Sequence, residues 1–207
     1  MASDAAHYFE PSNGHGLRHD PFNAIIAPRP IGWVSTIDAQ GRRNLAPYSF
    51  FNGFNYVPPI IGFSSIGRKD SLANAEATGE FVWNLATRRL AEQMNATSAT
   101  VAHDVDEFEL AKLTPAPSRK VRPPRVLESP VNFECRVSQI LQLQAADGAK
   151  IDSWVVFGEV VAVHIEKNLI MDGVYQSAAA RPITRLGRMG DYAELRADAM
   201  FEMKRPR

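Results

Sequence analysis

The chain has 207 residues, of which 45% are hydrophobic and 22% charged, and its 23 Lys and Arg balance 23 Asp and Glu. These values are typical of a globular domain and exclude bulk disorder or a collagen-like repeat. Zero net charge argues against generic attraction to nucleic acid or to an anionic membrane. The apolar runs are too short to span a bilayer, and residues 1–10 lack a secretory signal pattern. With one cysteine and therefore no internal disulfide, we expect a soluble cytoplasmic protein.

In chain order, residues 1–21 are polar and rich in turn-forming residues, and we interpret them as an arm that precedes the folded domain. Strands are predicted where β-branched and aromatic residues cluster between turn signals. The predicted strands cover residues 32–37, 42–48, 60–63 and 81–85, a long run that begins at 131, and residues 154–165. Apolar and polar residues alternate from Val131, as in a half-buried strand, and the alternation slips at Gln139 and Ile140, which predicts a bulge.

Three short helices are predicted between the strands, each preceded by a residue type that caps helices. They cover residues 72–78 with Asp70 or Ser71 as cap and Gly79 at the end, a segment capped by Thr87 that runs to Met94, and a segment capped by Asp106 that runs to Lys112. Strands with a few inserted helices indicate a mainly β barrel rather than a βαβ fold. We expect one domain over residues 22–195 and a C-terminal tail over residues 196–207.

Several familiar types of site are absent from the sequence. It contains no G-x-G-x-x-G, no P-loop and no nucleophile elbow. The five histidines are scattered without the spacing of metal ligands, so we expect no metal and interpret His103 and His164 as structural. Cys135 lies on the inward face of an alternating strand and is interpreted as a buried, inert thiol. No side chain is assigned a catalytic role.

Three segments have features of a binding site. Residues 44–51 (Asn-Leu-Ala-Pro-Tyr-Ser-Phe-Phe) place a proline and a hydroxyl among aromatic residues at a strand end, which suits a flat heteroaromatic ligand. Residues 64–71 place Arg68 and Lys69 at a predicted helix N-terminus, which favours an anion such as phosphate. Residues 181–192 form an arginine-rich loop with two glycines. Read alone, each segment also fits an ordinary strand end, a solvated helix cap or a surface loop.

Together and in this order, the segments resemble the flavin reductase-like proteins, which have an FMN-binding split β-barrel. The matching motifs are A-P-R-P-I-G-W-V-S-T at 27–36, N-L-A-P-Y-S-F-F at 44–51, S-S followed by R-K-D-S at 64–71, F-V-W-N-L at 81–85 and R-L-G-R-M-G-D-Y at 185–192. The family includes NAD(P)H:flavin oxidoreductases, reductase components of two-component flavin monooxygenases and flavoredoxin-like electron carriers. The resemblance spans roughly residues 22–192 and implies a split β-barrel that binds FMN, with NAD(P)H as electron donor.

The resemblance also implies which residues contact the cofactor. They are Thr36 and Asn84 in the pocket wall, Pro47, Tyr48, Ser49 and Phe50 along the isoalloxazine ring, Ser64 and Ser65 at the ribityl chain or phosphate, and Arg68, Lys69 and Ser71 at the phosphate. FMN is expected rather than FAD because no second stretch offers an adenine and pyrophosphate site. The resemblance implies a homodimer with flavin near its interface, where residues 185–192 complete the partner's site, and an electron acceptor such as a monooxygenase component.

One position departs from the family pattern. Many reductases of the family carry an Asp-His pair before the last long strand, whereas here Asp152 is followed by Ser153. Three functions therefore stay open. An FMN-dependent NAD(P)H:flavin oxidoreductase is favoured, and an FMN electron carrier without its own NAD(P)H turnover is the alternative. A barrel that has lost flavin and serves only protein interactions is disfavoured by the intact segment at residues 64–71.

Overall fold

The computed structural model describes residues 5–206. Its strands are β1 (Arg29–Pro30), β2 (Gly32–Ile37), β3 (Arg43–Tyr48), β4 (Phe51–Asn55), β5 (Ile60–Ile66), β6 (Glu80–Asn84), β7 (Pro115–Ala116), β8 (Arg125–Val126), β9 (Val131–Gln144), β10 (Lys150–Ile165), β11 (Ile170–Met171), β12 (Val174–Tyr175), β13 (Ile183–Arg185) and β14 (Tyr192–Glu194). The α-helices are α1 (Phe22–Ile25), α2 (Asp70–Thr78), α3 (Ala91–Ala96) and α4 (Glu107–Leu110). Short 3-10 helices cover Pro11–Asn13, Arg88–Leu90, Lys167–Leu169 and Ala197–Ala199. Within residues 5–206, no helix has the length and apolar character needed to cross a membrane.

Seven strands form one antiparallel sheet in the order β3-β2-β6-β9-β10-β5-β4. Its edge strands, β3 and β4, are joined in the chain by Ser49 and Phe50 alone. The three Cα–Cα steps of this link span at most about 11 Å, whereas the edges of a flat seven-stranded sheet lie about 29 Å apart. The sheet must therefore curl until its edges approach each other. The predicted mainly β barrel with a few short helices is confirmed.

The inside of the curled sheet is filled by apolar side chains. The ring of Phe63 lies 4.7 Å from that of Tyr48 and 5.5 Å from that of Phe81, measured between centroids. The buried cluster consists of Val34, Tyr48, Ile61, Phe63, Leu72, Ala75, Phe81, Cys135 and Val156. Strand β10 passes so close to this cluster that a Cβ atom at Gly158 would lie 2.3 Å from Phe81 Cε1. Glycine is therefore required there for the barrel to pack.

A second core forms outside the barrel because both faces of β2 are buried. Its buried members are Ile31, Trp33, Leu45, Ala86, Leu90, Met94, Phe108, Ala111, Leu113, Val126 and Ile183. The indole Nε1 of Trp33 donates a hydrogen bond to Thr97 Oγ1 at 3.0 Å. This contact fixes the segment that follows α3 against the sheet.

The six predicted strands are all present and differ only at some ends, whereas β4 and the short strands outside the main sheet were not predicted. Strand β5 extends to Ile66 because Ile66 pairs with Ser153, and β10 begins at Lys150 because Lys150 pairs with Gln144 on β9. The predicted bulge in β9 is present but lies slightly earlier in the strand. Phe157 pairs with Gln139 and the next residue, Gly158, pairs with Val137, so Ser138 is the extra residue.

The observed helix caps agree less well with the caps predicted from the sequence. Helix α2 begins at Asp70 with Lys69 as N-cap and no side-chain cap hydrogen bond, so neither Asp70 nor Ser71 is the cap, whereas Gly79 ends the helix in the left-handed conformation as predicted. Thr87 precedes the 3-10 helix Arg88–Leu90 without capping it. Asp106 does cap α4, since its carboxylate accepts a hydrogen bond from the Phe108 N–H, although this helix ends at Leu110.

Candidate functional site

A cavity of about 270 Å³ lies between β3, the start of α2, the segment after α3 and the start of α4. Its lining residues are Asn44, Ala46, Pro47, Tyr48, Lys69, Asp70, Ser71, Thr97, Ser98, Ala99, Thr100, Val101 and Glu107. Four of the residues assigned to the cofactor from the sequence, Pro47, Tyr48, Lys69 and Ser71, are thereby brought together. Residues 97–101 and Glu107 also line the cavity, although no sequence motif indicated them.

Tyr48 provides an unusual polar atom in the cavity wall. The residue is 7% exposed, and among residues 5–206 its buried Oη makes no hydrogen bond of regular geometry, although the hydroxyls of Ser71 and Ser65 lie near it. Burial raises the pKa of Tyr48, and the nearby hydroxyls of Ser71 and Ser65 oppose this shift. A buried polar group without a partner is costly. A ligand would reach Oη only if the surrounding side chains move, because this atom has almost no accessible surface.

A buried hydrogen-bond network positions the polar wall. Asn44 Nδ2 donates to Ser71 Oγ at 2.8 Å and to Thr36 Oγ1 at 3.2 Å, and Asn74 Nδ2 donates to Thr36 Oγ1 at 3.1 Å. Thr36 is fully buried and does not line the cavity, which differs from its expected place in the pocket wall. Thr36 affects the cavity indirectly, because it accepts a hydrogen bond from Asn44, which in turn orients the Ser71 hydroxyl.

The two adjacent cations Arg68 and Lys69 have different surroundings. Lys69 lines the cavity and precedes the nine-residue helix α2, whose N-terminus favours an anion. The half-exposed Arg68 pairs with Glu76, and its guanidinium carbon lies 5.6 Å from the centroid of the Trp154 ring. The structure therefore brings Lys69 to the cavity but not Arg68.

Two carboxylates share the cavity with Lys69. Asp70 lies at the first position of α2, and Glu107 follows the cap of α4. Glu107 is 6% exposed, and its Oε2 accepts a hydrogen bond from the Leu45 N–H at 3.1 Å. Burial raises the pKa of Glu107 and the charges of Asp70 and Asp106 add to this shift, whereas hydrogen bonds from the backbone N–H groups of Leu45 and of Glu107 itself oppose it. The hydroxyls, Tyr48 and Lys69 suit a hydroxylated, phosphate-bearing ligand such as FMN, whereas an ionised Glu107 opposes its phosphate.

The other predicted contact residues do not line this cavity. Ser49 and Phe50 form the link between β3 and β4, and the Arg29 guanidinium lies 5.4 Å from the Phe50 ring centroid. Ser64 Oγ lies 3.3 Å from Ser153 Oγ, and Ser65 Oγ donates to the Gly67 carbonyl at 2.8 Å.

Asn84 lies in the core instead of the expected pocket wall. Its Nδ2 donates to the Trp33 carbonyl at 3.1 Å, and its Oδ1 accepts from the Val126 N–H and from Asn132 Nδ2, both at 2.9 Å. The residue has no exposed surface. Its amide is fully committed to holding β8 and β9 beside β6.

The segment that departs from the family pattern packs against the turn before α2. The Gly67 N–H donates to the Asp152 carbonyl at 2.9 Å, and Ser153 contacts Ser64 as described above. A hydroxyl thus stands beside β5 where many family reductases carry an imidazole.

The histidines and the cysteine have structural surroundings. His103 Nδ1 lies 2.8 Å from Asp70 Oδ1, and His164 Nε2 lies 2.5 Å from Glu134 Oε1. No group of three or more potential metal ligands occurs within the described part of the chain. Cys135 is buried as predicted, and burial raises the pKa of its thiol, which makes it inert.

The arginine-rich segment at residues 181–192 is not one continuous loop, because Ile183–Arg185 form β13, β14 begins at Tyr192, and residues 186–191 connect the two strands. Strand β13 pairs with β1 and β14 in a three-stranded sheet, and Arg29 donates a hydrogen bond to the Leu186 carbonyl at 2.9 Å. The guanidinium of Arg185 lies 4.7 Å from the Tyr192 ring centroid. These contacts hold the loop beside the N-terminal segment of the domain.

Comparisons with known proteins identify the family. An uncharacterized protein of Aquifex aeolicus is 37% identical over 169 residues, which cover 79% of this chain and 83% of the relative. Nitrilotriacetate monooxygenase component B from Bacillus cereus has a similar structure, with a TM-score of 0.85, 31% identity, and coverage of 97% of this chain and 100% of that one. Flavoredoxin of Desulfovibrio vulgaris shares the fold with a TM-score of 0.75, at 19% identity and with coverage of 91% and 97%. The family model described as the flavin reductase like domain matches residues 26–184, and the chain therefore belongs to the flavin reductase-like family.

Proposed function

We propose that this protein binds FMN and acts as an NAD(P)H-dependent flavin oxidoreductase, which passes electrons to free flavin, a partner monooxygenase or another acceptor. The observation that carries this proposal is the cavity at β3 in a member of this family. There, Tyr48, Ser71 and Lys69 line one cavity at the start of α2, and they supply an aromatic ring, a hydroxyl and a cation.

The proposed roles of the residues follow from their chemistry. Lys69 and the start of α2 hold the phosphate through opposite charge, and the Ser71 hydroxyl, held by Asn44, adds a directed hydrogen bond. Tyr48 and Pro47 contact the ring or the ribityl chain beside it. Bound FMN would supply hydride acceptance at its N5 atom, so the protein need only bind and orient the reactants. This division explains why no catalytic side chain is assigned.

The proposed partners rest on the family and on the shape of the fold. The Bacillus cereus relative is a component of a monooxygenase by name, so we propose an oxygenase component as one acceptor. We also propose a homodimer, with residues 185–192 near the partner's flavin.

A second candidate function, an FMN electron carrier without its own NAD(P)H oxidation, is favoured by one observation. Ser153, beside Ser64, replaces the histidine that many family reductases carry at this place. A hydroxyl lacks the aromatic ring and the titratable nitrogen of imidazole. Only the electron donor separates this candidate from the first.

The test is anaerobic spectroscopy of the purified protein after incubation with FMN. Bound oxidised flavin is expected to absorb at ~375 and ~450 nm, and loss of the longer-wavelength band after NADH or NADPH is added would report hydride transfer. Flavin bands that persist in both nucleotides but bleach with dithionite would favour the electron carrier. Failure to retain flavin after gel filtration would contradict both candidates, and chromatography of the released flavin distinguishes FMN from FAD.

A further inference from the structure

Glu107 is a buried carboxyl with little support for a negative charge. Its Oε2 accepts a hydrogen bond from the Leu45 N–H at 3.1 Å, its own backbone N–H is a second donor, and among residues 5–206 no side chain donates to it or forms an ion pair with it. These backbone hydrogen bonds favour the ionised form, but burial and the nearby charges of Asp70 and Asp106 outweigh them, so the net pKa of Glu107 is raised. Glu107 lines the cavity, so a ligand that enters will remove water from this carboxyl.

The charges around Glu107 also disfavour its ionised form. The titratable and charged groups nearest to Glu107 are Lys69 and Asp70 at the start of α2, Asp106 at α4 and Tyr48 on β3. Three further groups act through these neighbours. They are His103, which contacts Asp70, and Arg43 and Glu109, which form an ion-pair cluster with Asp106. Lys69 is the cation in the described lining of the cavity.

The phosphate of FMN carries about −1.5 to −2 charges near neutral pH. In this cavity it would meet one ammonium and two carboxylates, of which Glu107 is the more buried. A neutral carboxyl removes the repulsion and can donate its O–H to a ligand oxygen. We propose, on the basis of the FMN site proposed above, that Glu107 takes up a proton when FMN enters the cavity.

The direction of the pH effect follows from linkage. If bound FMN favours the protonated form of Glu107, the complex holds more protons than the free protein, so FMN affinity falls as pH rises. One linked proton changes the affinity by at most about tenfold per pH unit. The second ionisation of the phosphate lies near pH ~6 and adds its own pH dependence. The difference between the wild type and Glu107→Gln isolates the contribution of the carboxyl.

The experiment is calorimetric titration of the apoprotein with FMN at pH values from about 5.5 to 8.5, in buffers of different ionisation enthalpy. The wild type is expected to take up more protons than Glu107→Gln, whose amide oxygen can still accept the Leu45 N–H. At a pH of about 8 the variant is expected to bind FMN about tenfold more tightly than the wild type. Glu109→Gln is the matched control, because Glu109 is two residues away with a 79% exposed side chain, and it should behave as the wild type.

Equal proton uptake and parallel affinity profiles in the wild type and Glu107→Gln would overturn the inference. Should that variant not fold, the inference is tested by comparing the proton uptake of the wild type on binding FMN with its uptake on binding riboflavin, both at a pH of about 8. At this pH FMN is already dianionic, and riboflavin lacks the phosphate. Equal uptake with both flavins would also overturn it. FMN that binds without this linkage leaves the proposed function intact, whereas no FMN binding at any pH contradicts the proposed function itself.

Discussion

At the scale of single residues, Lys69 is expected to distinguish FMN from riboflavin. It lines the cavity at the start of α2, where a charge-assisted hydrogen bond to phosphate contributes roughly 1.5–3 kcal/mol. Lys69→Gln should therefore weaken FMN binding by about one to two powers of ten, since 1.4 kcal/mol is tenfold. Riboflavin has no phosphate, so its affinity should stay nearly constant. Fluorescence titration of the apoprotein with both flavins measures this difference.

Arg68→Gln is the matched control, since it removes the neighbouring cation, which pairs with Glu76 outside the cavity. We expect it to change FMN affinity much less than Lys69→Gln does. A larger loss in Arg68→Gln would place the phosphate on the Arg68 side of α2, as the sequence alone allowed. Equal losses of both flavins in Lys69→Gln would indicate damage to the pocket instead.

Tyr48→Phe should affect the stability of the apoprotein and its affinity for FMN differently. The Tyr48 Oη is buried and makes no hydrogen bond of regular geometry, so its removal should leave the stability of the apoprotein unchanged or raise it by up to about 1 kcal/mol. The same change should weaken FMN binding by about tenfold if Oη bonds to the flavin. Urea denaturation and flavin titration of one protein preparation test both effects. A variant with unchanged FMN affinity would show that Oη does not contact the ligand.

The motifs predicted part of this site and missed the rest for physical reasons. Pro47, Tyr48, Lys69 and Ser71 belong to contiguous segments whose composition signals a ligand, and they do line the cavity. Glu107 reaches the cavity only because α4 packs beside β3, and no local pattern encodes that contact. Asn84 was assigned to the pocket, but its amide bonds to segments distant in sequence.

At the scale of elements, Glu134 on β9 holds the loop at residues 119–120 against the sheet. The fully buried carboxylate accepts hydrogen bonds from the Arg119 N–H at 2.8 Å and the Lys120 N–H at 2.6 Å, and it contacts His164 Nε2 on β10. Burial alone would raise the pKa of Glu134. The hydrogen bonds from Arg119, His164 and Lys120 outweigh burial, and the net pKa lies below its usual value.

This lowered pKa predicts a stability that depends on acid pH. A carboxyl whose folded-state pKa is depressed stabilises the fold above its unfolded pKa of about 4.3, and the stability is lost as pH falls through the folded-state value. Glu134→Gln should therefore destabilise the protein by about 2 kcal/mol at neutral pH. It should also flatten the decline in unfolding free energy below a pH of about 4.5. Urea denaturation across this range measures both, and an unchanged acid profile would contradict the assignment.

The elements were predictable where one local signal dominates. The alternation from Val131 located β9, and the β-branched run at residues 32–37 located β2, because both strands bury a regular set of side chains. The two-residue strands β1, β7 and β8 were not predicted as strands, since their pairing depends on distant segments. The start of α2 was also missed, because the backbone turns at Lys69 without a side-chain cap.

At the scale of the whole molecule, the curled sheet leaves an apolar edge exposed. Tyr56 and Val57, in the turn between β4 and β5, are 90% and 79% exposed, and Phe54 on the edge strand β4 is also exposed. Edge strands with exposed apolar side chains pair readily with other chains. Twofold pairing is the commonest way in which soluble proteins cover such a surface. This edge also continues from Ser49 and Phe50, which the resemblance places at the flavin.

We therefore predict a dimer that is held in part by this edge. Light scattering at micromolar concentration should give about twice the 22.9 kDa mass of one chain. Val57→Asp places a charge on the exposed apolar turn, and it should shift the protein toward the monomer because burial of an unpaired charge is costly. Leu127→Asp is the matched control, since Leu127 is an exposed apolar residue in the segment between β8 and β9. A wild-type mass near that of one chain would contradict the dimer, whereas dimers in both variants would exclude this edge as its interface.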